Sequence, residues 1–168
     1  RLNSLVKVGC NRVSIGVQSL QDEELRLLGR RHSAIQAKRA ISNARQAGFS
    51  NVSLDLMFGL PNQFVATWEK TLADAISLDP DHISLYCLTL ESGTPMEKDV
   101  RQGSIVEPDP DIAAEMYRLA QSNLSSVGYR QYEISNWAKV GHESRHNLAY
   151  WLNRPYLGLG PGAHSYLY

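Results

Sequence analysis

"NRVSIGVQS", residues 11–19, decides how the rest of the chain is read. Val13, Ile15 and Val17 alternate with Ser14, Gly16 and Gln18, the two-residue period of a β-strand. One face of that strand is branched and apolar. The other carries a hydroxyl, no side chain at all, and an amide. A strand held between two layers of helices is ordinarily apolar on both faces, so the polar face needs a reason. The pattern returns in "NVSLDLMFG" (51–59), with Val52, Leu54 and Leu56 against Ser53, Asp55 and Met57. It returns again in "HISLYCLT" (82–89), with Ile83, Leu85 and Cys87 against Ser84, Tyr86 and Leu88. The serines of the three segments lie 39 and 31 residues apart, room each time for a helix and two loops.

The intervening segments carry helical signals. Ser33 with Gln36 fits a capping box, Ile35, Ala40, Ile41 and Ala44 form one apolar face, and Gly48 ends the run. Trp68, Leu72, Ala75 and Ile76 make the next stripe, which opens on Phe64 where a capping threonine would serve better. Asp109 as N-cap and Pro110 at the first helical position start a third helix, with Met116, Leu119, Ala120 and Leu124 facing inward. "ESGTPMEKDVRQGSIVEPDP" (91–110) reads as an irregular connection, "YRQYEISNWA" (129–138) as a fourth strand, and residues 1–10 as the tail of a helix.

Bulk composition excludes several classes. The 168 residues carry 17 basic and 17 acidic side chains, so no positive field invites nucleic acid or an anionic membrane. No apolar run approaches a membrane span, and no signal peptide opens the chain. Cys10 and Cys87 stand alone, which leaves neither a disulfide framework nor a CxxC metal site and makes the cytoplasm the expected compartment.

Alternating strands and helices imply parallel strands joined by right-handed crossovers, in an open sheet or a barrel. A barrel accounts better for one polar face in three successive strands: the outer face meets helices, and the inner face lines a polar lumen. Ligands of such barrels sit at the C-terminal strand ends, near Gln18, Asp55 and the residues after Tyr86.

"GCNRVSIGVQS", "LLGRRHS", "AGFSNVSLDLMFGLP", "LDPDHISLYCLTLESGTP", "GYRQYEISNWAKVGHESRHNLAYW" and "YLGLGPGAHSY" together resemble HemW-type radical SAM proteins, in order and over essentially the whole chain. These are heme chaperones related to oxygen-independent coproporphyrinogen III oxidase. The resemblance implies an α/β fold, a partial (β/α) TIM-like barrel with parallel strands and outer helices. It implies S-adenosylmethionine (SAM) and a [4Fe-4S] cluster as cofactors. Its SAM-pocket positions match Gln18, Arg30, Asp55 and Thr89. Asp55 would accept from ribose hydroxyls, Gln18 would offer its amide, Arg30 would grip a carboxylate, and Thr89 would contribute backbone. Either the cluster-bound SAM or a second SAM would occupy them.

"HNLAYW" (146–151) matches an HNxxYW signature linked with heme in that branch. It makes His146 the candidate axial ligand, with Tyr150 and Trp151 as flat aromatic surfaces. The family's CxxxCxxC motif is absent, and two isolated cysteines cannot replace it, so the chain reads as a fragment truncated at the N-terminus. Alone it is expected to bind no cluster, generate no radical, and self-associate through an unpaired strand edge. Residues 1–138 would be the C-terminal part of the barrel, and residues 139–168 the start of the family's C-terminal segment. The implied partners are SAM, heme or porphyrin, and an apoprotein that accepts heme. An oxidase that decarboxylates two propionates of coproporphyrinogen III is the alternative activity.

Each site residue also has a plain structural reading. Gln18 and Asp55 would cap strand ends, Arg30, Arg31 and His32 would be surface groups, and His146, Asn147, Tyr150 and Trp151 would form a buried cluster. "HESRH" (142–146) formally matches the HExxH motif of zinc hydrolases but lacks the apolar stripe of a zincin helix. "GLGPGAHS" (158–165) lacks dinucleotide-loop spacing and reads as a tight turn.

Overall fold

A computed structural model describes residues 1–167. A short helix α1 (Leu2–Lys7) leads into β1 (Arg12–Gln18), followed by α2 (Asp22–Leu27) and α3 (Ala34–Gln46). Then come β2 (Asn51–Phe58), α4 (Val65–Ser77), β3 (His82–Cys87), α5 (Pro95–Arg101) and α6 (Pro110–Ser126). The chain closes with β4 (Arg130–Glu133), β5 (Asn136–Ala138) and α7 (Arg145–Trp151). The sheet order is β1-β2-β3-β5-β4, with β1, β2 and β3 parallel as the alternation of elements requires.

The expected fourth strand is instead a hairpin. β5 runs antiparallel to both β3 and β4, so β4 keeps the direction of β3 but lies one place further out. The returning strand fills the slot between them. Its turn is held by Glu133, whose carboxylate accepts from the Ser135 amide at 3.0 Å. The sheet is therefore parallel over three strands and antiparallel at the end.

The helices pack on the apolar face. Val17, Val52, Leu54, Leu56, Ile83 and Leu85 are buried against Ala37, Ile41 and Ala44 of α3, Trp68, Leu72 and Ala75 of α4, and Met116, Ala120 and Leu124 of α6. Trp68 is fully enclosed, and its indole N–H donates to the Met116 carbonyl at 2.9 Å, locking α4 to α6. Two expectations change. Ile35 is 69% exposed, because in the first turn it points outward from the stripe that Ala37, Ile41 and Ala44 build. The segment expected to be irregular contains α5, started by Thr94, whose hydroxyl accepts from the Glu97 amide, with Pro95 at the first helical position.

The other helix starts follow the sequence. Ser33 and Gln36 form the reciprocal box of α3, and Asp109 caps α6. Phe64 begins α4 with no side-chain cap.

Candidate functional site

The face of the sheet away from the helices carries a cross-strand row set by register. Gly16 pairs with Asp55, Asp55 with Ser84, Ser84 with Asn136, and Asn136 with Glu133. The Ser14 hydroxyl donates to the Asp55 carboxylate at 2.9 Å. Gln18 ends β1 with φ of 66°, and this turn folds its side chain back along the strand. A Cβ built on Gly16 would lie 2.7 Å from the Gln18 Nε2. Glycine is needed there because the Gln18 amide lies over it, next to Asp55 on the neighbouring strand. The structure thus brings Gln18 and Asp55 to one patch of the polar face.

Two strands further along the row, Asn136 is buried and its Oδ1 has no hydrogen-bond partner among the described residues, while its amide donates to Glu133. An acceptor left unmade in such a place costs about 1–3 kcal/mol, and a donor-bearing ligand would relieve it. The polar face therefore suits a ligand rich in hydroxyl and amino groups.

Arg30 and Thr89 lie in the loops after α2 and β3, both exposed and without side-chain hydrogen bonds among the described residues. The Arg30 loop is seated on the tip of β1. Buried Ser19 donates to buried Glu24 of α2, Gln63 donates to the same carboxylate at 3.2 Å, and the His32 ring meets the Val17 carbonyl at 3.1 Å. His32 is consequently half-buried rather than a free surface group.

His146, Tyr150 and Trp151 sit at the other end of the strands. Arg12, which opens β1, donates to the His142 carbonyl at 3.0 Å, and the Asn51 amide at the start of β2 meets the His142 ring at 3.3 Å. Asp81, just before β3, accepts from the Val52 amide at 2.8 Å and pairs with Arg45 at 2.7 Å. Burial pushes its carboxyl up, but these two contacts outweigh burial and hold the pKa below the ordinary value.

The helix α7 that follows presents its aromatic residues outward. His146 meets Tyr150 edge-on at 4.8 Å, Tyr150 meets Tyr156 at 4.5 Å, and Trp151 is 58% exposed. The buried cluster considered from sequence is not formed, since only Asn147 of the motif turns inward, toward Tyr132. Tyr156 and Tyr166 exchange backbone hydrogen bonds across the glycine-rich loop, which closes as a turn.

The zinc-hydrolase alternative fails on geometry. α7 begins at Arg145, so His142 and Glu143 precede it and do not share a helical face with His146. Among the described residues, no group of three His, Cys, Asp or Glu side chains could hold a metal ion.

A sequence signal ties these findings to known proteins. Residues 1–75, which include β1, β2, Gln18 and Asp55, match the Radical SAM superfamily. The "Radical S-adenosyl methionine domain-containing protein 1, mitochondrial" of Mus musculus is 51% identical over 165 residues, covering 98% of this chain and 37% of that protein. The "Heme chaperone HemW" of Bacillus subtilis (strain 168) is 43% identical over 167 residues, covering 99% of this chain and 44% of that protein.

The chain belongs to the HemW-like group of the radical SAM superfamily. Its fold matches that of coproporphyrinogen III oxidase (HemN) from Escherichia coli, with a TM-score of 0.80 over 98% of this chain and 40% of that one, at 23% identity. This HemW-like chain spans less than half the length of those curated relatives.

The superfamily's iron-sulfur cluster does not fit the residues present. Cys10 precedes β1 and Cys87 ends β3, so the two thiols lie at opposite ends of parallel strands. The polar face of this HemW-like chain does fit SAM. It offers an acceptor pair at Asp55, an amide at Gln18 and the unpartnered Asn136 oxygen.

A chain of hydrogen bonds, given away by no motif, ties β2 and β3 to the segment that opens α7. His82 Nδ1 lies 2.8 Å from the Ser53 hydroxyl and Nε2 lies 2.7 Å from the Tyr132 hydroxyl. Tyr132 in turn accepts from the Ser144 amide at 3.3 Å and from Asn147 at 3.5 Å. With its oxygen accepting, Tyr132 gives its proton to Nε2, which leaves Nδ1–H to donate to Ser53. Burial, aided by the positive charge of Arg12, pushes the His82 pKa down to about 3 and keeps the ring neutral.

A pH dependence follows. The unfolded chain takes up this proton at about 6.5, but the folded one only near 3. The contribution of His82 to stability is therefore complete above pH 6.5 and declines as pH falls toward 3. The melting temperature is expected to drop between pH 6.5 and about 4, and less steeply in His82→Gln. Parallel melting curves for the two proteins over that range would contradict the assignment.

Proposed function

We propose that this HemW-like chain serves a heme chaperone, holding SAM on its polar sheet face and presenting heme at α7. The observation that carries the reading is the outward display of His146, flanked by Tyr150, on a helix anchored through Asn147 and Tyr132. The His146 ring makes no hydrogen bond among the described residues and is free to act as an axial ligand. Tyr150 and Trp151 supply flat surface for the macrocycle.

At the opposite strand ends, Asp55 accepts from the ribose hydroxyls of SAM and Gln18 donates its amide. Arg30 grips the methionyl carboxylate with its fork, and Thr89 contributes backbone. In the whole protein a [4Fe-4S] cluster would supply the redox chemistry, and an apoprotein would receive the heme. The open edge of β1 supports self-association of the chain by itself. Isolated thiols suit the cytoplasm, and equally the mitochondrion in which the mouse relative is named.

Heme titration of the full-length protein and its His146→Ala variant, beside an anaerobic decarboxylation assay with coproporphyrinogen III, tests the reading. The expected result is a shifted heme absorption band, at least about tenfold weaker binding in the variant, and no decarboxylation. Decarboxylation, or heme binding indifferent to His146, would favour the oxidase. Gly16→Ala is a second check. Its Cβ meets only the end of a flexible amide, so the fold should lose little, yet Gln18 is displaced. SAM affinity is expected to fall as far as in Gln18→Ala, with unchanged melting. Normal SAM binding by Gly16→Ala would remove Gln18 from the site.

A further inference from the structure

Between the first residues of β1 and β2 and the segment leading into α7 lies a cavity of about 430 Å³. Arg12, Asn51, His142, Glu143, Arg145 and His146 are among the residues that line it. It lies at the N-terminal strand ends, away from the SAM patch. Arg12 is half-buried, and among the described residues only its Nη1 is used, donating to Asn51 at 3.1 Å and to the His142 carbonyl at 3.0 Å. No carboxylate lies within ion-pair distance of it among the described residues. Burial lowers the Arg12 pKa, and Tyr132, Asp55 and Asp81 favour its charge only from further away. Among the described residues, Arg145 is exposed and makes no ion pair or side-chain hydrogen bond, and Glu143 is the single acid on the cavity wall.

A half-buried guanidinium with Nε and Nη2 free is an incomplete arrangement, because arginine is held in such places by planar, two-oxygen anions. His146 shares the cavity, which fixes what that anion belongs to if α7 binds heme. A tetrapyrrole carries its carboxylates on propionate arms along one edge of the ring, beside the metal.

We propose that Arg12, assisted by Arg145, binds a propionate carboxylate of the tetrapyrrole whose metal is presented to His146. The assignment rests on the heme reading and adds the group that orients the ring. Arg12 positions the tail through His142 and clamps the cargo through its remaining donors. Heme whose propionates are free would be held at two points, metal and carboxylate. An esterified heme would be held at one.

The test compares heme, iron-free protoporphyrin and heme dimethyl ester on the full-length protein, by absorbance and fluorescence quenching. The protein with its natural residues is expected to bind heme about tenfold or more tighter than the diester. Arg12→Gln should bring the two within about threefold, with Arg12→Lys and Arg145→Gln between. Iron-free protoporphyrin should keep its sensitivity to Arg12 in His146→Ala, whereas the heme absorption band should change there. Equal affinity for heme and diester, or full discrimination retained in Arg12→Gln, would overturn the proposal. Since Arg12→Gln also loosens the tail, the diester comparison on the natural protein and Arg145→Gln decide the matter should that variant not fold. An unchanged heme band in His146→Ala, with ester discrimination intact, would sink the axial-ligand reading and leave the carboxylate clamp standing. Failure of both porphyrins to bind would overturn the two together.

Discussion

Asp55→Ala is expected to weaken SAM binding to the full-length protein by roughly 100- to 20,000-fold. An ionised carboxylate that accepts two ribose hydroxyls makes two charge-assisted hydrogen bonds, each worth about 1.5–3 kcal/mol. At 1.4 kcal/mol per tenfold, their loss gives the stated range. The fold should scarcely notice. Asp55 is half-buried at the middle of β2 and, among the described residues, its side chain is bonded to Ser14 alone. Removing that single hydroxyl-to-carboxylate hydrogen bond should lower stability by about 1 kcal/mol. Asp55→Asn, which retains one acceptor, should fall between. Calorimetric titration with SAM reads the affinity, and circular dichroism confirms the melting point. A loss of affinity that tracks a loss of structure would mean that Asp55 is architectural.

The opposite division is expected for Trp68→Ala, where stability collapses and the site residues are untouched. Trp68 has no exposed surface, its ring lies 5.6 Å from that of Phe58, and its N–H satisfies the Met116 carbonyl. Truncating a buried aromatic costs about 3–5 kcal/mol, while the Met116 carbonyl, in the interior of α6, keeps its intrahelical partner. Domains are stable by only about 5–15 kcal/mol, so the loss is a large part of the whole. At about 2–4 °C per kcal/mol, the melting temperature should fall by about 6–20 °C. Trp68→Phe should recover most of the packing and not the hydrogen bond. A melting point within about 3 °C of the natural protein would contradict the packing described for α4 and α6.

The three parallel strands were legible because Val13, Val52 and Ile83 open alternating runs of matching length and are separated by apolar stripes at helical spacing. The position of Gln18 and Asp55 on one face followed from the same period. The positive φ of Gln18 did not, since only a neighbouring glycine hints that the amide folds back. The hairpin was hidden by shortness. β5 has three residues, too few for a period to show, and its pairing with β3 is a long-range choice. α5 escaped notice although Thr94, Pro95 and Glu97 spell a helix start, because the surrounding Gly, Ser and Asp residues read as turn. Ile35 misled for a simple reason: an apolar residue at helical spacing in the first turn need not reach the core. His82 and Tyr132 could not be foreseen. Fifty residues separate them, and only the fold makes them neighbours.

The most direct measurement is the affinity of the full-length protein for SAM beside an analogue lacking both ribose hydroxyls. If Asp55 holds the ribose, the natural protein should prefer SAM by about 100-fold or more, and Asp55→Ala should bind the two alike. Equal affinity of the natural protein for both ligands would show that the polar wall of the sheet does not hold the nucleoside, and the site would have to be sought elsewhere.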